Sequence, residues 1–130
     1  MSDLIQTMAL AASGMKAQSA RLRHVSENIS NADTPGFRRK LISFEPAPAR
    51  PGAPALVEPG RVRLDRTDLP LIHDPGHPLA NEDGNYRESN VNLVVEIADA
   101  RQAQRSYEAN LKMFDQARQM TSSLLELLRR

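Results

Sequence analysis

The range from Val91 to Arg130 contains no glycine and no proline, so nothing in it breaks a helix. Asn92 stands where a helix N-cap is expected, and Glu96 falls in the first turn, where the helix dipole favours a negative charge. A row of residues at heptad spacing follows and then drifts along a mostly apolar series: Ile97, Ala100, Gln104, Tyr107, Leu111, Phe114, Ala117, Met120, Leu124, Leu125 and Leu128. The range therefore predicts one long helix with an apolar face that needs a partner.

A second row of this kind lies near the other end of the chain. Steps of three and four residues connect Leu4, Met8, Ala11, Met15, Gln18, Leu22, Val25 and Ile29. Gly14 costs such a helix about 1 kcal/mol relative to alanine, which indicates a close approach by another backbone. The sequence predicts a long N-terminal helix as well.

The middle of the chain has a different composition. Five of the nine prolines fall between Glu45 and Gly60, which rules out a helix and predicts an exposed, Pro-rich loop over 45–60. Short alternating runs flank this loop, and Asp83-Gly84 is typical of a hairpin turn. We predict a small, irregular β-rich segment.

Together these features predict a mainly α protein whose terminal helices pack antiparallel as a coiled coil, with the β-rich, Pro-rich segment between them. The predicted divisions are 1–39 for the N-terminal helix and its exit turn, 40–89 for the middle segment and 90–130 for the C-terminal helix. The first and last divisions would form one helical domain. At 1.5 Å per residue the helices would span roughly 40 Å and 55 Å.

Composition limits what this chain can bury alone. It has 3 Phe, 2 Tyr and no Trp, and many of its apolar residues are alanines, which bury little area. The formal net charge of +1 argues neither for nor against a nucleic-acid partner, and the absence of cysteine excludes disulfides and thiolate metal sites. Two long apolar rows with so lean a core indicate that further helices pack around them.

The sequence offers little for catalysis or metal binding. His73 and His77 have the spacing of a helical metal pair, but Pro75 and Gly76 between them prevent a helix. We predict no enzyme, no metal site and no cofactor. The cations in the run FRRK, which begins at Phe37, are interpreted as ion-pair partners or a solvated face and not as a nucleic-acid contact.

The stretch SENISNADTPGFRRK, Ser26–Lys40, ends the first predicted helix in short polar side chains. Asn and Asp can bond the free backbone groups where a helix stops. Thr34 is forced towards extended geometry because it precedes Pro35, and Pro35-Gly36 then fixes a turn. We predict a rigid exit from helix to extended chain that leaves polar groups for neighbouring subunits.

This helix end resembles the N-terminal signature of the bacterial flagellar axial proteins, the rod, hook and hook-associated subunits. The matching positions are Ser26, Asn28, Ile29, Asn31, Ala32, Asp33, Thr34, Pro35, Gly36 and Phe37. The second half of the chain is similar, more narrowly, to a proximal rod protein of that family. It carries the DPGHP turn at 74–78, NVN at 90–92, Glu96, RSYEAN at 105–110 and Met120.

The resemblance implies a structural, non-enzymatic subunit of the flagellar rod, which crosses the periplasm and transmits torque. It implies contacts with copies of itself, with other rod proteins, with the rod-base adaptor, with the flagellar export apparatus and with the membrane-supramembrane ring. It also implies export without a cleaved signal peptide, and Asp3 together with the lack of an early cationic segment agrees with this. No nucleic acid and no membrane insertion is expected.

The apolar rows and the resemblance together give the predicted assembly contacts. They are Leu4, Met8, Met15, Leu22, Val25, Asn28, Ile29, Asn31, Asp33, Thr34, Pro35, Gly36, Asn90, Asn92, Glu96, Arg105, Tyr107, Glu108, Asn110, Leu111 and Phe114. Two alternatives stay open at this point. One is another flagellar axial subunit, and the other is an unrelated helical-hairpin adaptor or nucleic-acid-binding protein.

Overall fold

Two long helices dominate the computed structural model, which describes residues 2–130. Helix α1 spans Ser2–Ser30 and helix α2 spans Leu93–Arg129. The side chain of Asn92 accepts hydrogen bonds from the backbone N–H groups of Val94 and Val95, so the predicted N-cap of α2 is confirmed. A mainly helical protein with a long helix at each end is confirmed.

The two helices pack against each other along an interface of small side chains. Its buried apolar residues are Ala11, Ala17, Ala20, Val25, Ala103 and Ala117. The residues that meet run in opposite order along the two helices: Gly14 lies against Asn110, Arg21 reaches Asp99, and Asn28 reaches Glu96. Small side chains allow the helix axes to approach closely, which limits the room for large residues between them.

The heptad row predicted for α2 is only partly the row that faces α1. Phe114 and Ala117 are turned inward, but Tyr107 and Leu111 are 36% and 41% exposed. The buried face runs through Glu96, Ala103, Asn110, Phe114 and Ala117 instead. The larger apolar side chains lie outside the alanine interface, which is too narrow to hold them.

The middle segment forms three separate two-stranded antiparallel sheets. The strands are β1 (Lys40–Leu41), β2 (Phe44–Pro46), β3 (Val57–Pro59), β4 (Arg63–Leu64), β5 (Leu71–His73) and β6 (Asn85–Arg87). They pair as β1 with β4, β2 with β3 and β5 with β6. The predicted small β elements in the middle of the chain are confirmed.

We had expected the Pro-rich range 45–60 to be an exposed loop, but only its central part is one. Its two ends are β2 and β3, which form a hairpin in which Pro46 lies opposite Val57 and Phe44 opposite Pro59. The backbone N–H of Val57 also donates to the Ser13 hydroxyl at 3.3 Å. Proline is tolerated here because these are edge strands, each with one unpaired side. The hairpin is thereby attached to α1.

Gly14 provides a test of the close helix contact. A β-carbon at this position would lie 2.7 Å from Nδ2 of Asn110, which donates to the Ser106 carbonyl at 3.0 Å. We expect Gly14→Val to lower the free energy of unfolding by about 1–3 kcal/mol because the added atoms overfill the interface. Chemical denaturation measures this change.

A paired variant serves as the control for this prediction. In an Asn110→Ala background, Gly14→Ala has room and removes a helix-interior glycine, so it is expected to gain up to about 1 kcal/mol. The effects of Gly14→Ala and Asn110→Ala on the free energy of unfolding would then be strongly non-additive, as expected for residues in contact. Additive effects would contradict a direct contact between Gly14 and Asn110.

Candidate functional site

The end of α1 is joined to strand β1 by one asparagine side chain. Asn28 donates to the carbonyl of Lys40 at 3.0 Å and accepts from the Lys40 backbone N–H at 2.9 Å. Its amide thus pairs with Lys40 as a neighbouring strand would. Asn28 is 1% exposed, so this polar group is used inside the chain and is not left for neighbouring subunits as we had predicted.

Between Asn28 and β1 the chain reverses through the predicted exit turn. Asn31 donates to the Glu27 carbonyl at 2.9 Å, and the Thr34 hydroxyl donates to the Asn31 side-chain oxygen at 3.1 Å. The Phe37 N–H closes the turn on the Thr34 carbonyl at 3.2 Å. Gly36 has φ +78°, a left-handed conformation that favours glycine after proline in a tight turn. Local polar groups therefore end the helix, as expected from the sequence.

A fully buried carboxylate contacts one residue on each side of this turn. Glu96, in the first turn of α2, is 0% exposed and accepts from Nδ2 of Asn28 at 3.3 Å and from Nε of Arg39. A buried charge is costly unless it is paired and hydrogen-bonded, and Glu96 has both kinds of partner. Its place in the first turn was predicted, but its contact with Arg39 was not.

Arg39 continues the network to a second carboxylate. Its Nη2 donates to Asp99 at 2.7 Å, and Nη2 of Arg21 donates to the other oxygen of Asp99 at 3.3 Å. The arginine directly before β1 is therefore held by two carboxylates of α2, and one of these also binds Arg21 of α1. We call Asn28, Arg39, Glu96 and Asp99 the junction network.

Asn90 secures the other side of β1. Its side-chain oxygen accepts from the Arg39 N–H at 2.6 Å, and its Nδ2 donates to the carbonyls of Asp65 and Thr67 at 3.0 and 3.2 Å. Arg38 donates to the same two carbonyls. The segment that leads into α2 is thus bound both to the residue before β1 and to the chain that follows β4.

The basic run FRRK is used within the chain. Arg38 binds backbone carbonyls, Arg39 binds two carboxylates, and Nζ of Lys40 lies 2.5 Å from Oε2 of Glu27. The hydrogen bond from Lys40 lowers the pKa of the Glu27 carboxyl. This agrees with the ion-pair interpretation. The signal that could have identified the partners is the acidic pair Glu96 and Asp99, three residues apart on one helix face.

A cleft of about 220 Å³ opens beside the junction network, between the end of α1 and β1. His24 lines this cleft, and its Nδ1 atom lies 3.9 Å from the Glu27 carboxylate. Within residues 2–130 no three His, Cys, Asp or Glu side chains are grouped so as to hold a metal ion. The charged groups around the cleft bind one another, an arrangement suited to fixing the relative positions of the helices and strands.

The other predicted assembly residues fall into four groups. Those half-buried along the helices are Leu4, Met8, Met15, Leu22, Asn110 and Phe114. Those exposed are Ile29, Asp33, Thr34, Gly36, Asn92, Arg105, Tyr107, Glu108 and Leu111. Asn31, Pro35 and Asn90 are half-buried in the junction, and Val25 is buried between the helices. The structure brings Asn28, Asn90 and Glu96 together around Arg39 and leaves Tyr107 and Leu111 of α2 exposed.

The junction network is tested by truncating Asn28. Asn28→Ala removes the partner of both Lys40 backbone groups and one partner of the buried Glu96, so we expect the free energy of unfolding to fall by about 2–4 kcal/mol. Ser26→Ala, at an exposed position of the same helix, is the matched control and should change it by less than about 0.5 kcal/mol. Equal effects in urea denaturation would contradict the proposed importance of Asn28.

The Glu27–Lys40 pair predicts a pH dependence with a definite sign. Because folding lowers the pKa of Glu27, its contribution to stability is present above the pKa of an unfolded glutamate and is lost as pH falls through the folded value. We expect Glu27→Gln to flatten the acid limb of a stability–pH curve and to leave its neutral limb unchanged in shape. A variant curve parallel to that of the wild type at low pH would contradict this.

Comparison with known proteins agrees with these features. Within residues 2–130 no helix is long and apolar enough to cross a membrane. Residues 8–38 match the family described as flagella basal body rod protein, and residues 82–127 match flagellar basal body rod FlgEFG protein C-terminal.

The relatives named flagellar basal-body rod protein FlgC align along nearly the whole chain. The one from Agrobacterium fabrum is 40% identical over 99% of this chain and 98% of its own. Those from Aquifex aeolicus and Salmonella typhimurium are 32% and 30% identical over 97% and 95% of this chain, and over 98% and 97% of their own. The resemblance seen in the two sequence motifs is confirmed, and the chain belongs to the FlgC family of flagellar basal-body rod proteins.

Proposed function

We propose that this protein is a structural subunit of the proximal rod of the flagellar basal body, joined to its neighbours through its two helices. Membership in a family of rod proteins confirms the prediction of a structural protein and not an enzyme. The cations of the basic run, which gave the nucleic-acid alternative its support, are bound within the chain, and this counts against that alternative.

The observation that carries the proposal is the apolar surface of α2. Twelve large apolar side chains of this helix are between 36% and 78% exposed: Leu93, Val94, Val95, Ile97, Tyr107, Leu111, Met113, Met120, Leu124, Leu125, Leu127 and Leu128. Monomeric proteins rarely leave so extended an apolar surface in water. The surface suits burial against the helices of other subunits.

The proposal includes an antiparallel coiled coil of α1 and α2. The reversed order of their contacts supports it, from Gly14 against Asn110 to Asn28 against Glu96. Residues 1–39 and 90–130 would then be one helical domain that carries assembly, and 40–89 a second unit. The second unit is held on the first by Asn28 and Glu27, which bind Lys40, and by Asn90, which binds the carbonyls of Asp65 and Thr67. Torque would pass from one unit to the other through these contacts.

We further propose that the predicted assembly residues exposed on α2 contact other rod proteins and further copies of this chain. The rod-base adaptor and the membrane-supramembrane ring are the neighbours proposed at the membrane end of the rod. The flagellar export apparatus would deliver the chain to the periplasm without cleavage of a signal peptide.

Leu111→Glu separates assembly from folding. Leu111 is 41% exposed and lies outside the α1 interface, so the variant should remain helical as a free chain. In the rod it would bury an unpaired charge in place of a side chain whose burial is worth roughly 1.5–3 kcal/mol. We expect it to be lost from purified basal bodies and from swimming cells, as measured by immunoblotting and motility assays.

Two matched variants control this experiment. Lys112→Glu makes a charge change at the neighbouring exposed position and should still incorporate. Removal of residues 50–53, the turn at the tip of the β2–β3 hairpin, should also be tolerated because changes in loop length cost little closure entropy. Incorporation of Leu111→Glu together with loss of the shortened hairpin would reverse the proposed roles. Absence of the wild-type chain from basal bodies would refute the function itself.

A further inference from the structure

Strand β4 lies in a short run of exposed cations, RVRLDR, which we call the arginine segment (residues 61–66). Arg61, Arg63 and Arg66 are all exposed, and none of them forms an ion pair with another residue in 2–130. Asp65, the one acid of the segment, accepts instead from the backbone N–H and the hydroxyl of Thr67, at 2.8 and 2.5 Å. The three arginines therefore have no anionic partner within the described chain.

Aliphatic side chains alternate with these arginines along the segment. Val62 and Leu64 are 39% and 48% exposed, so both are open to solvent. Successive side chains of an extended chain point to opposite faces. One face of the segment therefore presents Arg61 and Arg63, and the other presents Val62 and Leu64. A strand lying beside the segment would meet charge and apolar surface on opposite faces, with a period of two residues.

One edge of β4 is unpaired. The strand belongs to a two-stranded sheet, and within residues 2–130 its one partner is β1. The backbone N–H of Asp65 donates to the Arg39 carbonyl at 2.8 Å. Because successive N–H groups of a strand point to opposite edges, the N–H of Leu64 points away from β1. A strand edge of this kind can pair with an extended polypeptide, whose backbone supplies the matching donors and acceptors.

The charges of the segment decide which polypeptide fits this edge. A second copy of β4 would place arginine against arginine, and like charges directly opposite each other destabilise a sheet. The acidic strands of this chain, β2 and β3, end in Pro46 and Pro59, which have no N–H to donate. The complementary strand therefore has carboxylates at alternate positions, apolar residues between them and no proline. These requirements favour a segment of another protein.

We infer that an extended acidic segment of another protein adds as a strand to the unpaired edge of β4. Its carboxylates would lie opposite Arg61 and Arg63, and its apolar side chains beside Val62 and Leu64. The arginine segment contains no aromatic residue on which a base could stack, which favours a protein over a single-stranded nucleic acid. The inference goes beyond the proposed function, because it assigns a partner to the middle segment and does not involve the helices.

Synthetic peptides test strand addition on the full-length protein. Fluorescence anisotropy measures binding of a labelled peptide TEVEVET and of TEEEVVT, which has the same composition without the alternation. We expect the alternating peptide to bind on the order of tenfold more tightly, because only it sets carboxylates and apolar side chains on opposite faces of a strand. Methylation of one alternate set of its amide nitrogens should abolish binding, and methylation of the other set should not, since only one set faces β4.

Charge exchange assigns the contact to the arginines. The double variant Arg61→Glu, Arg63→Glu should bind TEVEVET at least about tenfold more weakly than the wild type and should instead bind the lysine peptide TKVKVKT. Binding of the lysine peptide also shows that the variant still presents the strand edge. Arg101→Glu with Arg105→Glu, at two exposed positions of α2, changes the net charge equally and is the matched control. This control should bind TEVEVET as the wild type does.

Several outcomes would overturn the inference. One is equal binding of TEVEVET and TEEEVVT, or an equal effect of the two methylation patterns, because either result means charge attraction without strand pairing. Equal losses in the two double variants, or no binding of TEVEVET up to about 1 mM, would also overturn it. Tighter binding of single-stranded DNA or of phosphatidylglycerol vesicles than of TEVEVET, lost in the Arg61→Glu, Arg63→Glu protein, would assign the arginines to phosphate groups instead. The purified chain is used throughout, so these results do not depend on incorporation into basal bodies.

Discussion

The buried carboxylate of Glu96 is the interaction on which the remaining structure depends. It lies on α2 but is bound by Asn28 of α1 and by Arg39, the residue directly before β1, so both helices and the start of β1 are positioned by one side chain. Leaving a charge buried without its partner costs several kcal/mol, which makes alternative alignments of the two helices unfavourable. Helix register and the position of β1 are therefore fixed together.

Away from Glu96 and its partners, few large side chains are buried that could stabilise the fold. The buried apolar residues are almost all alanines, which contribute small areas, and the larger side chains of α2 lie outside. Specificity within the chain comes from polar contacts at one end of the helix pair, whereas most of the apolar area is kept for other surfaces. Burial of that area in an assembly would stabilise the folded state by mass action.

Local features were predictable from the sequence, and contacts between distant residues were not. Neighbouring residues determine the two helices, the Asn92 cap and the Thr34–Gly36 turn. The local sequence patterns were therefore sufficient to predict them. The pairing of Asn28 with Lys40 and of Arg39 with Glu96 joins residues 12 and 57 positions apart, and nothing in the local pattern specifies it. The heptad row of α2 shows the same limit, because only part of it faces α1. Apolar spacing indicates that a face is buried but not whether α1 or another molecule buries it.

The double hydrogen bond between Asn28 and Lys40 bridges the ends of the Thr34–Gly36 turn. Without these two hydrogen bonds the turn could act as a hinge, because the backbone alone would connect α1 to β1. Because Arg39 is also bound next to this pair of hydrogen bonds, a force applied to β1 is shared by several bonds in parallel and does not bend the turn. The connection between α1 and β1 should then deform little under force until these hydrogen bonds and ion pairs break together.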